Sequence, residues 1–190
     1  MKIAIILSTV RENRDGNRIA LFAKHMLEKR GHEITILDPA EYHLPMLGKM
    51  FVEMKEPEQK FVEIHDALDS ADGFIMITAE YNHSVPPALK NLLDHFRQEY
   101  FHKPTGIISY SAGPFGGIRA AEHLRQICAE LKTIAIPRSL PISKSHESIH
   151  EDGTSVNGDY ERRSEPFFAE FEWYMEALKN QRTSRGIPEK

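Results

Sequence analysis

At 190 residues the chain is long enough for one hydrophobic core and too short for two comfortable ones, so a single domain spanning residues 1–190 is expected. Hydrophobic residues make up 41% and charged residues 27%, which excludes wholesale disorder, and a formal net charge of -4 gives no reason to expect nucleic acid or an anionic membrane as a partner. Any anion site must therefore be local.

The single cysteine, Cys128, cannot form an intrachain disulfide. "IAIIL" after Met1 and Lys2 is too short for the apolar region of a secretion signal, and no apolar run reaches the length of a membrane span. A cytoplasmic protein is the expectation.

In chain order, short apolar runs rich in β-branched residues alternate with stretches of helical period. The runs are "KIAIIL" at 2–7, "EITIL" at 33–37, "GFIMI" at 73–77, "TGIIS" at 105–109 and a weaker "TIAI" at 133–136. Ile19, Phe22, Ala23, Met26 and Leu27 share one helical face, and Gly31 is placed to end that helix. Phe61, Ile64, His65 and Leu68 predict a second helix, opened by Pro57; Leu89, Leu92, Leu93 and Phe96 predict a third, opened by Pro86 and Pro87. Leu124, Ile127, Cys128 and Leu131 mark a fourth, and a last helix is predicted over 166–180 with Phe167, Phe171, Tyr174 and Leu178 inward. Residues 39–56 and 137–158 read as long irregular stretches. The first carries Leu44, Met46, Leu47, Met50, Phe51 and Met54, too apolar for a solvated loop, so it is expected to meet a partner subunit or wall a ligand pocket.

Strands that are apolar throughout, each followed by a helix, predict an α/β fold with a parallel sheet covered on both faces. Five such units favour a flavodoxin-like doubly wound five-stranded sheet of order 2-1-3-4-5. Ligands of such sheets bind beyond the carboxyl ends of the strands where the winding reverses, here between the first and third strands with the fourth nearby.

The loops at those ends are rich in polar residues and glycine. "STVRENRDGNRIA", 8–20, brings Arg11, Arg14 and Arg18 to a helix start together with Asn17, an arrangement suited to phosphate. After the third strand, Asn82, His83 and Ser84 either cap the next helix or expose backbone groups to a planar ligand, with Tyr81 able to stack. After the fourth, "SYSAGPFGGIRAAEHL" has glycines at 113, 116 and 117, which permit close backbone approach but are weak evidence alone.

Taken together, these loops resemble the flavin-binding loops of the NAD(P)H-dependent FMN reductase family, which includes quinone, azo-dye and chromate reductases. "EYNHSVPPALKNLLD" is similar to that family's E-Y-N-x-S-x-P-x-x-L-K-N-x-x-D segment, "SAGPFGGIRAAEHLRQICAEL" to its S-x-G-x-x-G-G and following helix, and "FEWYMEALK" to its closing helix. The resemblance implies FMN as cofactor, with Thr9, Arg11, Gly16, Asn17 and Arg18 around its phosphate. It implies Glu80, Tyr81, Asn82 and His83 along one side of the isoalloxazine, and Ser111, Ala112, Gly113 and Gly116 at its pyrimidine edge. It further implies NADPH or NADH as electron donor, a small-molecule acceptor (flavin, quinone, azo compound or metal oxyanion), and a homodimer or dimer of dimers. A flavodoxin-type electron carrier and a non-catalytic flavin-binding protein are the rival readings. The chain departs from the family pattern at Ala79, where proline is usual, at Ser8, where glycine is usual, and at Gly16, often a hydroxyl residue.

Other signals carry less. "HESIH", 146–150, matches the zinc-protease pattern H-E-x-x-H but has the composition of a loop, so no metal is expected. His65, His95 and His123 read as surface or boundary residues, and Cys128 as a small buried hydrophobe. Ser111 lacks a G-x-S-x-G elbow and is not read as a nucleophile. Flavin-centred chemistry leaves no side chain nominated as a catalytic acid or base.

Overall fold

The structure, a computed structural model, describes residues 1–188. Strands β1 (Lys2–Leu7), β2 (Glu33–Leu37), β3 (Gly73–Ala79), β4 (Pro104–Tyr110) and β5 (Ile134–Ile142) form one parallel sheet of order β2-β1-β3-β4-β5, as the sequence predicts. Among the described residues seven α-helices connect or follow them: α1 (Gly16–Glu28), α2 (Pro39–Tyr42), α3 (Gln59–Ser70), α4 (Pro87–Asp94), α5 (Ile118–Glu130), α6 (Ser145–Ser148) and α7 (Asp159–Arg185).

The strand pattern explains the two-sided cover. Ile3, Ile5, Leu7, Ile75 and Ile77 point into a core completed by Ile19 and Phe22 of α1 and Phe167, Phe168 and Phe171 of α7. Ala4, Ile6, Phe74 and Met76 point into the opposite core, built from Phe61 and Ile64 of α3, Leu89, Leu92 and Leu93 of α4, and Leu124 and Cys128 of α5. Each of the three α4 leucines is fully buried, worth about 1.5–3 kcal/mol of transfer free energy apiece, which fixes the helix that follows the β3 loop. Helix α1 ends as expected at Gly31, whose φ of 80° completes a Schellman turn: Gly31 N donates to Glu28 O at 2.9 Å and His32 N to Leu27 O at 3.2 Å.

The structure differs from the sequence reading at β5, at α7, at His95 and within 39–56, where α2 forms. Strand β5 runs on to Ile142 through Pro137 and Pro141, because it lies at the sheet edge and its pairing with β4 shifts register between Thr105 and Ile107, where a missing amide is tolerated. Helix α7 begins at Asp159 rather than at Pro166. Tyr160 N donates to Ser155 Oγ at 3.1 Å and Ser155 N to Glu161 Oε1 at 3.0 Å, so its first turn is anchored ahead of the proline; Pro166 lies on the exposed side of the helix. His95 is buried, not peripheral: its Nδ1–H donates to Asn91 O at 2.7 Å. In the 39–56 stretch, Leu44, Phe51 and Met54 pack against the α3–α5 core, while Met46, Leu47 and Val52 stay exposed.

Candidate functional site

The loops after β1, β3 and β4 meet at the reversal of winding and enclose a cleft of about 280 Å³. Thr9, Arg11, Glu12, Asn13, Arg14 and Asp15 form one wall, Ala79, Glu80 and Tyr81 the second, and Tyr110, Ser111, Ala112 and Ser145 the third. Of the predicted residues, this cleft unites Thr9, Arg11, Glu80, Tyr81, Ser111 and Ala112. Asn17 and Arg18 border an adjoining cleft with Asn13, Arg14 and Glu151. Gly16, Asn82, His83, Gly113 and Gly116 line neither, though each lies within the loops that do or at the helix start beside them.

Two of the three arginines are already engaged. The Arg14 guanidinium pairs with the buried Asp38, and its Nε donates to Asn17 Oδ1 at 3.0 Å. Arg18 pairs with Asp15 at 3.3 Å and donates to the Ile149 carbonyl at 3.0 Å. Among the described residues Arg11 has no carboxylate partner; its guanidinium lies 5.9 Å from the centroid of the Tyr81 ring. The Thr9 hydroxyl is buried beside the Tyr110 hydroxyl, and the backbone amides of residues 10–15 donate to no other group among the described residues. The cleft therefore offers an anion one guanidinium, one hydroxyl and a run of amides beside the positive end of α1.

The second wall is a tight turn. Tyr81 N donates to Ser84 O at 2.9 Å and Ser84 N to Tyr81 O at 3.0 Å, with φ of 50° at Asn82 and 66° at His83. Positive φ at both central residues is the type I′ geometry, which asparagine adopts at small cost. Glu80 faces the helix instead of the cleft centre: its carboxylate accepts from the Arg119 amide at 3.2 Å and from the Arg119 guanidinium at 3.1 Å, binding the turn to the start of α5.

In the third wall, Ser111 Oγ donates to Gly113 O at 3.1 Å, Ser145 N to Ser111 O at 3.1 Å, and Ser145 Oγ to Asp15 Oδ2 at 2.7 Å. Ser145 thus ties the β4 loop to the β1 loop. Gly116 and Gly117 serve the fold: a Cβ on Gly117 would stand 2.7 Å from Tyr110 O, and one on Gly116 would stand 3.1 Å from Ile142 N. Burial pushes the Tyr110 hydroxyl up to about 12, so it stays protonated at neutral pH.

Sequence reasoning missed Asp15, Tyr110 and Ser145. Tyr110 immediately follows the predicted fourth strand, and that position was its signal; Ser145 reaches the cleft from a stretch with no local mark. The "HESIH" stretch begins in the four-residue α6 and leaves it at Ile149, whose backbone is extended, so His146 and His150 do not share a helical face. Among the described residues no group of three or more His, Cys, Asp or Glu side chains is arranged for a metal. A separate cavity of about 190 Å³ lies beside Phe51 and Phe96, where His65 Nδ1 and Glu99 Oε1 are 2.8 Å apart.

The family described as NADPH-dependent FMN reductase matches residues 1–147. The chain belongs to that family. Its relatives within this group of flavin-dependent reductases include an FMN-dependent NADPH-azoreductase of Staphylococcus aureus, 31% identical over 167 residues (85% of this chain and 87% of the other). A 2-hydroxy-1,4-benzoquinone reductase of a Burkholderia species is 26% identical over 183 residues, covering 90% of this chain and 94% of the other. Among solved structures, the flavoenzyme NAD(P)H:acceptor oxidoreductase FerB of Paracoccus denitrificans superimposes with a TM-score of 0.72 at 18% identity, covering 94% of this chain and 97% of that one, which shows a shared fold. No helix among the described residues is long and apolar enough to cross a membrane.

Proposed function

We propose that this FMN reductase family member binds FMN in the switch-point cleft and uses it to move two electrons from NADPH or NADH to a small conjugated acceptor. The observation that carries the reading is the set of donors at the start of α1: the Arg11 guanidinium, the Thr9 hydroxyl and the amides of residues 11–15, all on one wall of the cleft. The fold itself uses neither that guanidinium in an ion pair nor those amides in hydrogen bonds among the described residues. They suit the FMN phosphate, with Gly16 and Asn17 adding the first-turn amides of α1.

Arg18 serves indirectly, by neutralising Asp15 so that no free carboxylate from that residue faces the phosphate. The rigid turn at Tyr81–Ser84 presents backbone groups and the Tyr81 ring to one side of the isoalloxazine, with Asn82 and His83 at its tip. Ser111, Ala112 and Gly113 meet the pyrimidine edge, and Gly116 lets the loop close against β5 so that the positive end of α5 favours negative charge there. When bound, FMN supplies the redox chemistry, taking hydride from the nicotinamide and returning two electrons to the acceptor. The protein orients the ring and shapes the electrostatics around it.

The names of the related proteins, a benzoquinone reductase and an azoreductase, support a flat conjugated acceptor. One sheet with helices packed on both faces supports a single flavin-binding domain over the chain. Exposed Val10, Met46, Leu47 and Val52 support a homodimer or dimer of dimers, and one buried free thiol is in keeping with the cytoplasm. The test is FMN-dependent oxidation of NADPH and NADH with and without a benzoquinone or an azo dye. Turnover that requires both FMN and acceptor is expected. Bound FMN that neither nucleotide reduces would point instead to an electron carrier or a binding protein.

A further inference from the structure

The last backbone pairing between β1 and β3 sets Leu7 beside Ile77. Two residues further along β3, the Ala79 amide donates to Ser8 Oγ at 3.0 Å, and both residues are buried. A side chain thus adds one more rung to the β1–β3 ladder after the backbone rungs stop. The position of that rung matters: Ser8 immediately precedes Thr9 and Ala79 immediately precedes Glu80, and these neighbours stand on opposite walls of the cleft.

We propose that Ser8 is a positioning residue whose hydroxyl, by accepting the Ala79 amide, fixes the spacing between the phosphate-binding wall and the ring-holding wall and thereby sets FMN affinity. The proposal rests on reading the cleft as the FMN site. Without the hydroxyl, a buried amide at the cleft floor has no acceptor, and it recovers one only by admitting water between the two strand ends. That movement spreads the walls, and FMN binding must reverse it. Each half of the bond can be removed alone: alanine at 8 has no hydroxyl to accept with, and proline at 79 has no amide to donate.

The experiment measures FMN affinity, by quenching of flavin fluorescence, for wild type, Ser8→Ala, Ala79→Pro and the double variant, at a temperature where each apo form is folded by circular dichroism. Ser8→Ala is expected to weaken FMN binding about tenfold in the otherwise wild-type chain and less than about twofold when A79P is also present. Equal losses in the two backgrounds, or an S8A affinity like that of wild type, would overturn the proposal. So would a lowered unfolding temperature of apo S8A with unchanged FMN affinity, which would confine the bond to the fold. If A79P does not fold, the comparison of S8A with wild type decides alone. Wild-type protein that quenches no FMN would remove the reading of the cleft itself, an outcome distinct from quenching without coupling.

Discussion

The hydroxyl of Tyr110 occupies the space that a side chain at Gly16 would need: a Cβ built there would lie 2.9 Å from that oxygen. Gly16 opens α1 and Tyr110 closes β4, so the contact locks the anion-facing helix start against the strand that carries the third wall. Gly16→Ser is expected to overpack this contact and cost about 1–3 kcal/mol of unfolding free energy. Adding Tyr110→Phe should recover most of it. Chemical denaturation of the two variants checks this, and an undiminished midpoint for G16S would show that Tyr110 yields freely.

Arg11 and Arg14 are expected to behave oppositely. Arg11 has no carboxylate partner, so Arg11→Ala should weaken FMN binding about 10- to 100-fold while leaving the apo unfolding midpoint nearly unchanged. Arg14 is the partner of buried Asp38, so Arg14→Ala should lower stability by about 1–3 kcal/mol through the carboxylate it strands. Unchanged FMN affinity in R11A would sink the phosphate assignment.

Lys103 gives a pH signature at the end of the sheet away from the cleft. Its Nζ donates to the Leu68 and Asp69 carbonyls at 2.8 and 2.7 Å, and burial pulls its ammonium down from 10.5 to about 8. The folded value lies below the unfolded one, so the unfolded chain binds more protons between about pH 8 and 10.5. Stability contributed by Lys103 is therefore complete above that window and falls as pH drops through it. The stability difference between wild type and Lys103→Met should move in favour of wild type by roughly 2–3 kcal/mol from the bottom to the top of the window. Parallel pH curves from urea unfolding would contradict this.

Cys128 is fully buried on α5, and burial pushes its thiol up to about 12. Native protein should therefore react with a thiol reagent only as fast as it opens, and denatured protein at once. Rapid labelling of the native protein would show that α5 lifts from the sheet.

The sheet was legible because β1 and β3 are apolar on both faces, a pattern that only a strand covered twice requires. Residues 137–158 read as irregular, whereas Pro137 and Pro141 lie in β5, whose edge position removes the need for their amides; the last helix, read over 166–180, starts at Asp159 because Ser155 anchors the turn before the proline. In the site, three arginines close in sequence looked like one anion cluster. What distinguishes them is tertiary: Asp38, 24 residues from Arg14, and the Ile149 carbonyl, 131 residues from Arg18, take two of them. The glycines of the third loop read as room for a ligand, whereas Gly117 yields to the Tyr110 backbone, a contact that loop composition alone cannot reveal.

The most direct measurement is the visible spectrum of protein loaded with FMN and freed of unbound flavin, recorded anaerobically before and after NADPH or NADH. Retained flavin that loses its visible absorption with either nucleotide, and regains it when benzoquinone is added, is the predicted result. Retained flavin that stays oxidised with both nucleotides would contradict a reductase.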